Sequence, residues 1–318
     1  MPKRSLPAQT SPRKKYRPGA VLGAGGFNTV YAVAGDPSMV MRTTTGDFKT
    51  RGAAEAALRR EMAAMSTARA ALPGALNEIA ESGVLRSAQT FRPYTLQPRM
   101  SGDLLQLFFR SEGPLRSRRA EALRLAVGLL TDMASRGVGY LDAKPANILY
   151  SVRSSGALDL RIMDWDPRLT MKMAPDNVSV GRSHYGGPDA GLRKTVGVIL
   201  VFQLLVTTMN AARRRGSEDM QKIVVEVATD FCEKNYGRIV LEHARTVQFD
   251  RRNMIGMRGI MYHAMKTLRN YIGADVDFVT AVREAVSLIC GADASRAFWK
   301  GVLTAATAAT ASTAVATA

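Results

Sequence analysis

The stretch Tyr140-Leu141-Asp142-Ala143-Lys144-Pro145-Ala146-Asn147-Ile148-Leu149 constrains this chain more than any other. It sets a cluster of polar groups between two apolar segments. Upstream, Ala120 to Ser135 carries Leu123, Ala126, Leu129, Leu130 and Met133 at helical spacing. Downstream, Ile148 and Leu149 open an apolar run that predicts a short buried strand. Pro145 restricts helix formation, so the residues between are expected to form a loop. An acid, a lysine two places on and an amide five places on make a compact kit for phosphoryl transfer. The Asp142 carboxylate can accept a proton from an attacking hydroxyl, Lys144 can neutralise charge on the moving group, and the Asn147 amide oxygen can ligate a metal. A solvated surface loop has similar composition, so the kit gains meaning only if its complements occur elsewhere in the chain.

They occur in order. Val21-Leu22-Gly23-Ala24-Gly25-Gly26-Phe27-Asn28-Thr29-Val30-Tyr31 places apolar residues on both sides of a glycine cluster, the pattern of a strand–turn–strand hairpin. Glycines there let backbone N–H groups approach phosphate oxygens that a Cβ would hold away. Ser38 to Thr44 predicts a strand whose Met39, Val40 and Met41 lead into Arg42. A helical pattern from about Ala53 to Ala71 contains Glu61. A lone glutamate on a helix usually faces solvent; its spacing from Arg42 is what singles it out. Val84 to Leu96 holds two short strand-like runs, and Pro98 to Leu105 reads as a linker leading into a helix, where Asp103 is a cap or a ribose contact. Past the central stretch, Leu158 to Met163 predicts a strand ending at Asp164-Trp165-Asp166.

Together these segments resemble the protein kinases. The central stretch is similar to their catalytic loop, His-Arg-Asp-x-Lys-x-x-Asn, with Asp142, Lys144 and Asn147 matching and Tyr140 and Leu141 replacing the first two residues. The glycine hairpin resembles their phosphate loop: Gly23, Gly25 and Val30 match, and Asn28 stands for the third glycine. Arg42 takes the place of the family's phosphate-binding lysine, an exchange that puts catalytic rate in question because a guanidinium is wider and more rigid than an ammonium. Glu61 corresponds to the helix glutamate that pairs with that basic residue. Asp164 corresponds to the metal-binding aspartate, with Trp165 for the usual phenylalanine and Asp166 for the glycine. Gly187-Pro188-Asp189 is a degenerate close to an activation segment over 167–189. Leu141 lacks the arginine that receives a regulatory phosphate.

The resemblance covers roughly 19–210, and the glycine loop and the arginine are similar to those of divergent kinases from large DNA viruses. It implies an α+β fold of two lobes, a small β-rich N-lobe over 19–98 and a larger helical C-lobe over 99–302, binding ATP and Mg2+ between them. The implied activity is transfer to serine or threonine of protein substrates. A nucleotide-binding pseudokinase scaffold is the first alternative, on Arg42, Leu141 and Asp166. A small-molecule phosphotransferase of the aminoglycoside or choline kinase type is the second, on Asp164-Trp165.

Composition bounds these expectations. The 318 residues are 46% hydrophobic, enough for a sizeable core, and the net charge of +17 favours acidic partners, including acidic protein substrates. Residues 1–18 hold six basic residues and no acid, an expected disordered arm. Nucleic-acid binding through that arm rests on charge alone and is not favoured. The 303–318 stretch is a low-complexity Ala/Thr-rich tail. Cys232 and Cys290 provide neither a disulfide framework nor metal spacing, pointing to a reducing compartment, cytoplasmic or nuclear. The charged N-terminus has no apolar segment behind it, so no secretory signal is expected. Val196 to Val206, the longest apolar run, is broken by Gln203 and shorter than the ~20 residues a membrane helix needs.

Overall fold

A computed structural model of the chain describes residues 16–24, 28–44, 46–87, 89–136, 138–140, 142–164, 170–172, 190–244 and 289. Residues 1–15 of the arm, Gly25, Leu141, Trp165, Asp166, Gly187-Pro188-Asp189 and the 303–318 tail lie outside the described residues. The fold is mixed α+β. The described residues form two compact units: those up to Arg59 together with Glu78–Arg99, and Arg60–Asn77 together with those from Met100 onward.

The first unit is a five-stranded antiparallel sheet of β1 (Pro18–Ala24), β2 (Asn28–Val33), β3 (Asp36–Thr44), β4 (Glu81–Ser87) and β5 (Thr90–Pro98), in the order β1-β2-β3-β5-β4. Gly35, at φ 80°, makes the tight link between β2 and β3, whose ends pair at Val33 and Asp36. Successive side chains alternate between the two faces. On one face Val33, Met41 and Leu96 form the buried core, with Tyr31, Met39, Leu85 and Tyr94 packed around it. Gly83 lies opposite Tyr94, whose ring passes over it: a Cβ there would stand 2.9 Å from a ring carbon. The Tyr94 hydroxyl donates to Glu81 Oε1 at 2.6 Å.

The helix α1 (Arg51–Ala71) begins two residues earlier than the periodicity predicts. Thr50 accounts for this, because its Oγ1 accepts from the Ala53 N–H at 3.2 Å and satisfies an otherwise orphan donor of the first turn. The Arg51–Glu55 pair at 2.8 Å supports the same turn.

In the second unit, a short turn at Pro73–Ala75 leads to Leu76, which bridges in parallel to Ile162. The strand β6 (Gly102–Asp103) and helices α2 (Leu104–Arg110) and α3 (Arg119–Ser135) follow. Next come β7 (Val138–Tyr140), β8 (Ile148–Val152), β9 (Leu158–Ile162), β10 (Thr170–Lys172), α4 (Ala190–Arg214) and α5 (Glu218–Ala244). β6, β8 and β9 make one small sheet, and β7 with β10 another. α4 contains the longest apolar run and is buried at Val198, Leu200, Val201, Phe202, Gln203, Leu204, Leu205 and Val206, as expected for a helix apolar on most sides. Gly197 lets α3 come close, with Ala134 Cβ only 3.3 Å from where a Cβ would sit. No helix among the described residues is long and apolar enough to cross a membrane.

Two sequence expectations become specific here. The segment after Lys144 is a single 3-10 turn at Pro145–Asn147, since proline's fixed φ suits a first helical position even though it bars continuation. Asp103 is a cap: its Oδ1 accepts from the Gln106 N–H at 2.8 Å, which commits it to starting α2. Of residues 277–289, only Ile289 lies among the described residues.

Candidate phosphotransfer site

The predicted residues fall into two groups, one in each unit. In the first unit the sheet register aligns Gly23 with Val30, Val30 with Arg42, and Arg42 with Thr95. Residues paired directly across antiparallel strands share a face, so Val30, Arg42 and Thr95 face the same way, opposite to the Met41–Leu96 core. That face is polar and buried: Arg42, Thr95 and Gln97 are all under 9% exposed, and Gln97 Nε2 donates to Thr95 Oγ1 at 2.9 Å. A Cβ at Gly23 would meet nothing within 4 Å, so packing does not demand glycine there. Glu61 lies on α1, in the portion belonging to the second unit, and is partly exposed.

The second group is knitted together by hydrogen bonds. Asp142 Oδ2 accepts from Lys144 Nζ at 2.6 Å and from Asn147 Nδ2 at 2.7 Å. Asn147 Nδ2 also lies 3.1 Å from the Asp142 carbonyl oxygen and 2.9 Å from the Tyr140 hydroxyl. The 3-10 turn is what brings this about, because it folds Asn147 back over Asp142, with the Asn147 N–H donating to the Lys144 carbonyl at 3.0 Å. Asn147 immediately precedes β8, and its carbonyl accepts from the Met163 N–H at 3.0 Å as β9 ends. Asp164 is the next residue. Its φ of 62° is the only positive value at a non-glycine among the described residues. Such a backbone is tolerated best by Asn and Asp, and it collects at functional sites.

The chemistry of this cluster follows from what is occupied. Asp142 Oδ2 carries both contacts, while Oδ1 takes no hydrogen bond among the described residues. The Lys144–Asp142 pair is half open to solvent, so it adds little to stability and holds charge in place instead. Asn147 is 5% exposed, and its side-chain hydrogen bonds all leave through Nδ2; Oδ1 makes none among the described residues. An amide oxygen that makes no hydrogen bond among the described residues is a suitable ligand for a hard cation such as Mg2+, which takes oxygen donors and keeps several waters. No cluster of three or more His, Cys, Asp or Glu occurs among the described residues. The candidate set is smaller than that: one amide and the Asp164 carboxylate.

Comparison with protein-family models and with curated proteins finds no match to this chain.

One residue escaped the sequence. From sequence alone Tyr140 is a departure from the kinase motif, yet it is fully buried and its hydroxyl joins the network at two points, accepting from Asn147 and donating to the Met163 carbonyl at 2.8 Å. The available signal was its type: an aromatic hydroxyl at the end of a short apolar strand seldom stays unbonded when buried.

Proposed function

We propose that this chain is an ATP-dependent phosphotransferase of bilobal, protein-kinase-like fold, acting on serine or threonine hydroxyls of protein substrates. The observation that carries this reading is the convergence of Lys144 and Asn147 on one oxygen of Asp142, with no hydrogen bond to the other oxygen among the described residues. An acceptor hydroxyl placed at Asp142 Oδ1 would give its proton to the carboxylate as its oxygen bonds to the γ-phosphorus and the bond to the ADP oxygen breaks. Lys144 would offset the negative charge on the transferring group. Asn147 Oδ1 and the Asp164 carboxylate would hold Mg2+, which when bound supplies charge neutralisation at the phosphate oxygens. Gly23, Gly25, Val30, Arg42 and Glu61 are assigned to the nucleotide by the resemblance.

The test is transfer of labelled phosphate from ATP and Mg2+ to basic and acidic protein substrates, comparing the wild type with Asp142→Asn. The expected outcome is a loss of roughly 10²–10⁴-fold in turnover for the variant, with little change in ATP affinity. ATP and Mg2+ should also raise the thermal midpoint of the wild type. The buried Arg42 favours one rival, a pseudokinase scaffold. That rival wins if the wild type binds nucleotide yet transfers no faster than Asp142→Asn. Absence of any shift at millimolar ATP, in folded protein, defeats both.

A further inference from the structure

An amide side chain has a donor end and an acceptor end of nearly equal size, so something must choose which faces a metal. In this chain three acceptors surround the nitrogen end, and one of them, a phenol, is made an acceptor by a backbone carbonyl. The Met163 C=O can only accept, so the Tyr140 hydroxyl 2.8 Å away must spend its single proton on it. The phenol oxygen can then only accept from Asn147, 2.9 Å away on its other side. That requires the nitrogen of the Asn147 amide to point inward. The Asp142 carbonyl at 3.1 Å and the Asp142 carboxylate at 2.7 Å are acceptors too and agree with the same orientation. Oδ1 is thereby turned away from the network.

We propose that Tyr140 is a positioning residue for the divalent cation: its hydroxyl fixes the Asn147 amide with the oxygen presented as a ligand, although the phenol itself never touches the metal. The inference rests on the phosphotransfer reading above and assigns a role to a residue that the motif resemblance counts as a mismatch. The same hydroxyl ties the start of β8 to the residue before Asp164, so it acts on both candidate ligands at once. The backbone bond from Met163 N–H to the Asn147 carbonyl, 3.0 Å, sets the spacing that one phenol can bridge. Outer hydrogen-bond partners of metal ligands commonly carry a large share of metal affinity.

The test uses the full chain, with Mn2+ as the probe and ADP present, and follows the loss of the free Mn2+ paramagnetic resonance signal. Tyr140→Phe removes only the hydroxyl and keeps the buried ring. It should weaken Mn2+ binding about 10- to 100-fold and leave binding of metal-free ADP unchanged. In an Asn147→Ala background the same substitution should cause no further loss, because the residue through which Tyr140 acts is gone. A purely structural tyrosine would lower metal and metal-free nucleotide binding together, and would do so in both backgrounds. Should Tyr140→Phe fail to fold, site-specific 3-fluorotyrosine at position 140 retains ring and hydroxyl but weakens the oxygen as an acceptor; Mn2+ affinity should fall in the same direction by a smaller factor. Wild-type protein that binds Mn2+ and ADP, with an unchanged affinity in these variants, overturns the positioning role and leaves the phosphotransfer reading standing. Wild-type protein that binds neither overturns the phosphotransfer reading, and this inference falls with it.

Discussion

At the scale of single residues, Arg42 is the departure from the kinase resemblance on which the proposed activity turns. A lysine and an arginine differ in width, in rigidity and in the number of donors. Arg42 is buried on the polar face of its sheet, in register with Val30 and Thr95, and is not an exposed substitute at the rim. A lysine there would carry a compact charge with fewer donors than the planar guanidinium. Arg42→Lys is accordingly expected to lower turnover, with the fold intact by circular dichroism. A rise in turnover would mean the arginine is an impaired lysine. The residue scale is also where sequence was least informative. Asp142, Lys144 and Asn147 are legible because their spacing is local. Tyr140 is not, because its partner Met163 lies across a β-hairpin and the bond is to a backbone carbonyl that leaves no trace in residue identity.

At the scale of elements, two aspartates of the second unit have opposite electrostatic settings. Burial raises the pKa of Asp103, against the backbone N–H bonds at the start of α2 that favour its charge. The cap needs only an acceptor oxygen, and asparagine supplies one without the charge. Asp103→Asn should then keep or raise the thermal midpoint at pH 7, while Asp103→Ala should destabilise by about 1 kcal/mol. Asp159 on β9 is the reverse case. Burial pushes its pKa up, but bonds from Arg153 at 2.6 Å and Arg161 at 2.9 Å outweigh that and leave it lowered. A carboxyl depressed by folding contributes stability above its unfolded pKa and loses it as pH falls through the folded value. Asp159→Asn should be less stable than the wild type at pH 7, and the difference should shrink as acid denaturation is followed below about pH 3.9. β3, α3, β8 and β9 are legible from period-2 or 3.6 alternation.

At the scale of the whole molecule, the sequence anticipates a β-rich and a helical part. The described residues do form a five-stranded antiparallel sheet unit and a unit holding α2 to α5. The one described piece of the 167–189 segment is β10, which pairs with β7 from Thr170 opposite Tyr140 to Lys172 opposite Val138. A strand already secured by ladder bonds does not need a phosphate to order it. Leu141 also supplies no guanidinium to receive one. Activity should accordingly survive phosphatase treatment; its loss through a site in 167–189 would refute this. The division within α1, with Arg60–Asn77 grouped in the second unit, is not legible in sequence. A helix pattern runs unbroken through that point, and only the long-range pairing of Leu76 with Ile162 shows where the chain has gone.

The hairpin of β8 and β9 has one further consequence. Asn147 and Asp164 lie at its open end, and Ile148 pairs with Ile162 through to Val152 with Leu158. The tip closes through the Arg153 N–H to the Ala157 carbonyl, with Gly156 at φ 82°. The ladder therefore works as a ruler whose reading is independent of what is added beyond its far end. Residues inserted at 154–156 would lengthen the tip and leave the two candidate ligands where they are. One residue deleted within Leu158–Ile162 would slide Asp164 by about 3.3 Å and turn its strand inside out. The tip is the place to attach a label or an affinity tag next to this site without changing its gauge.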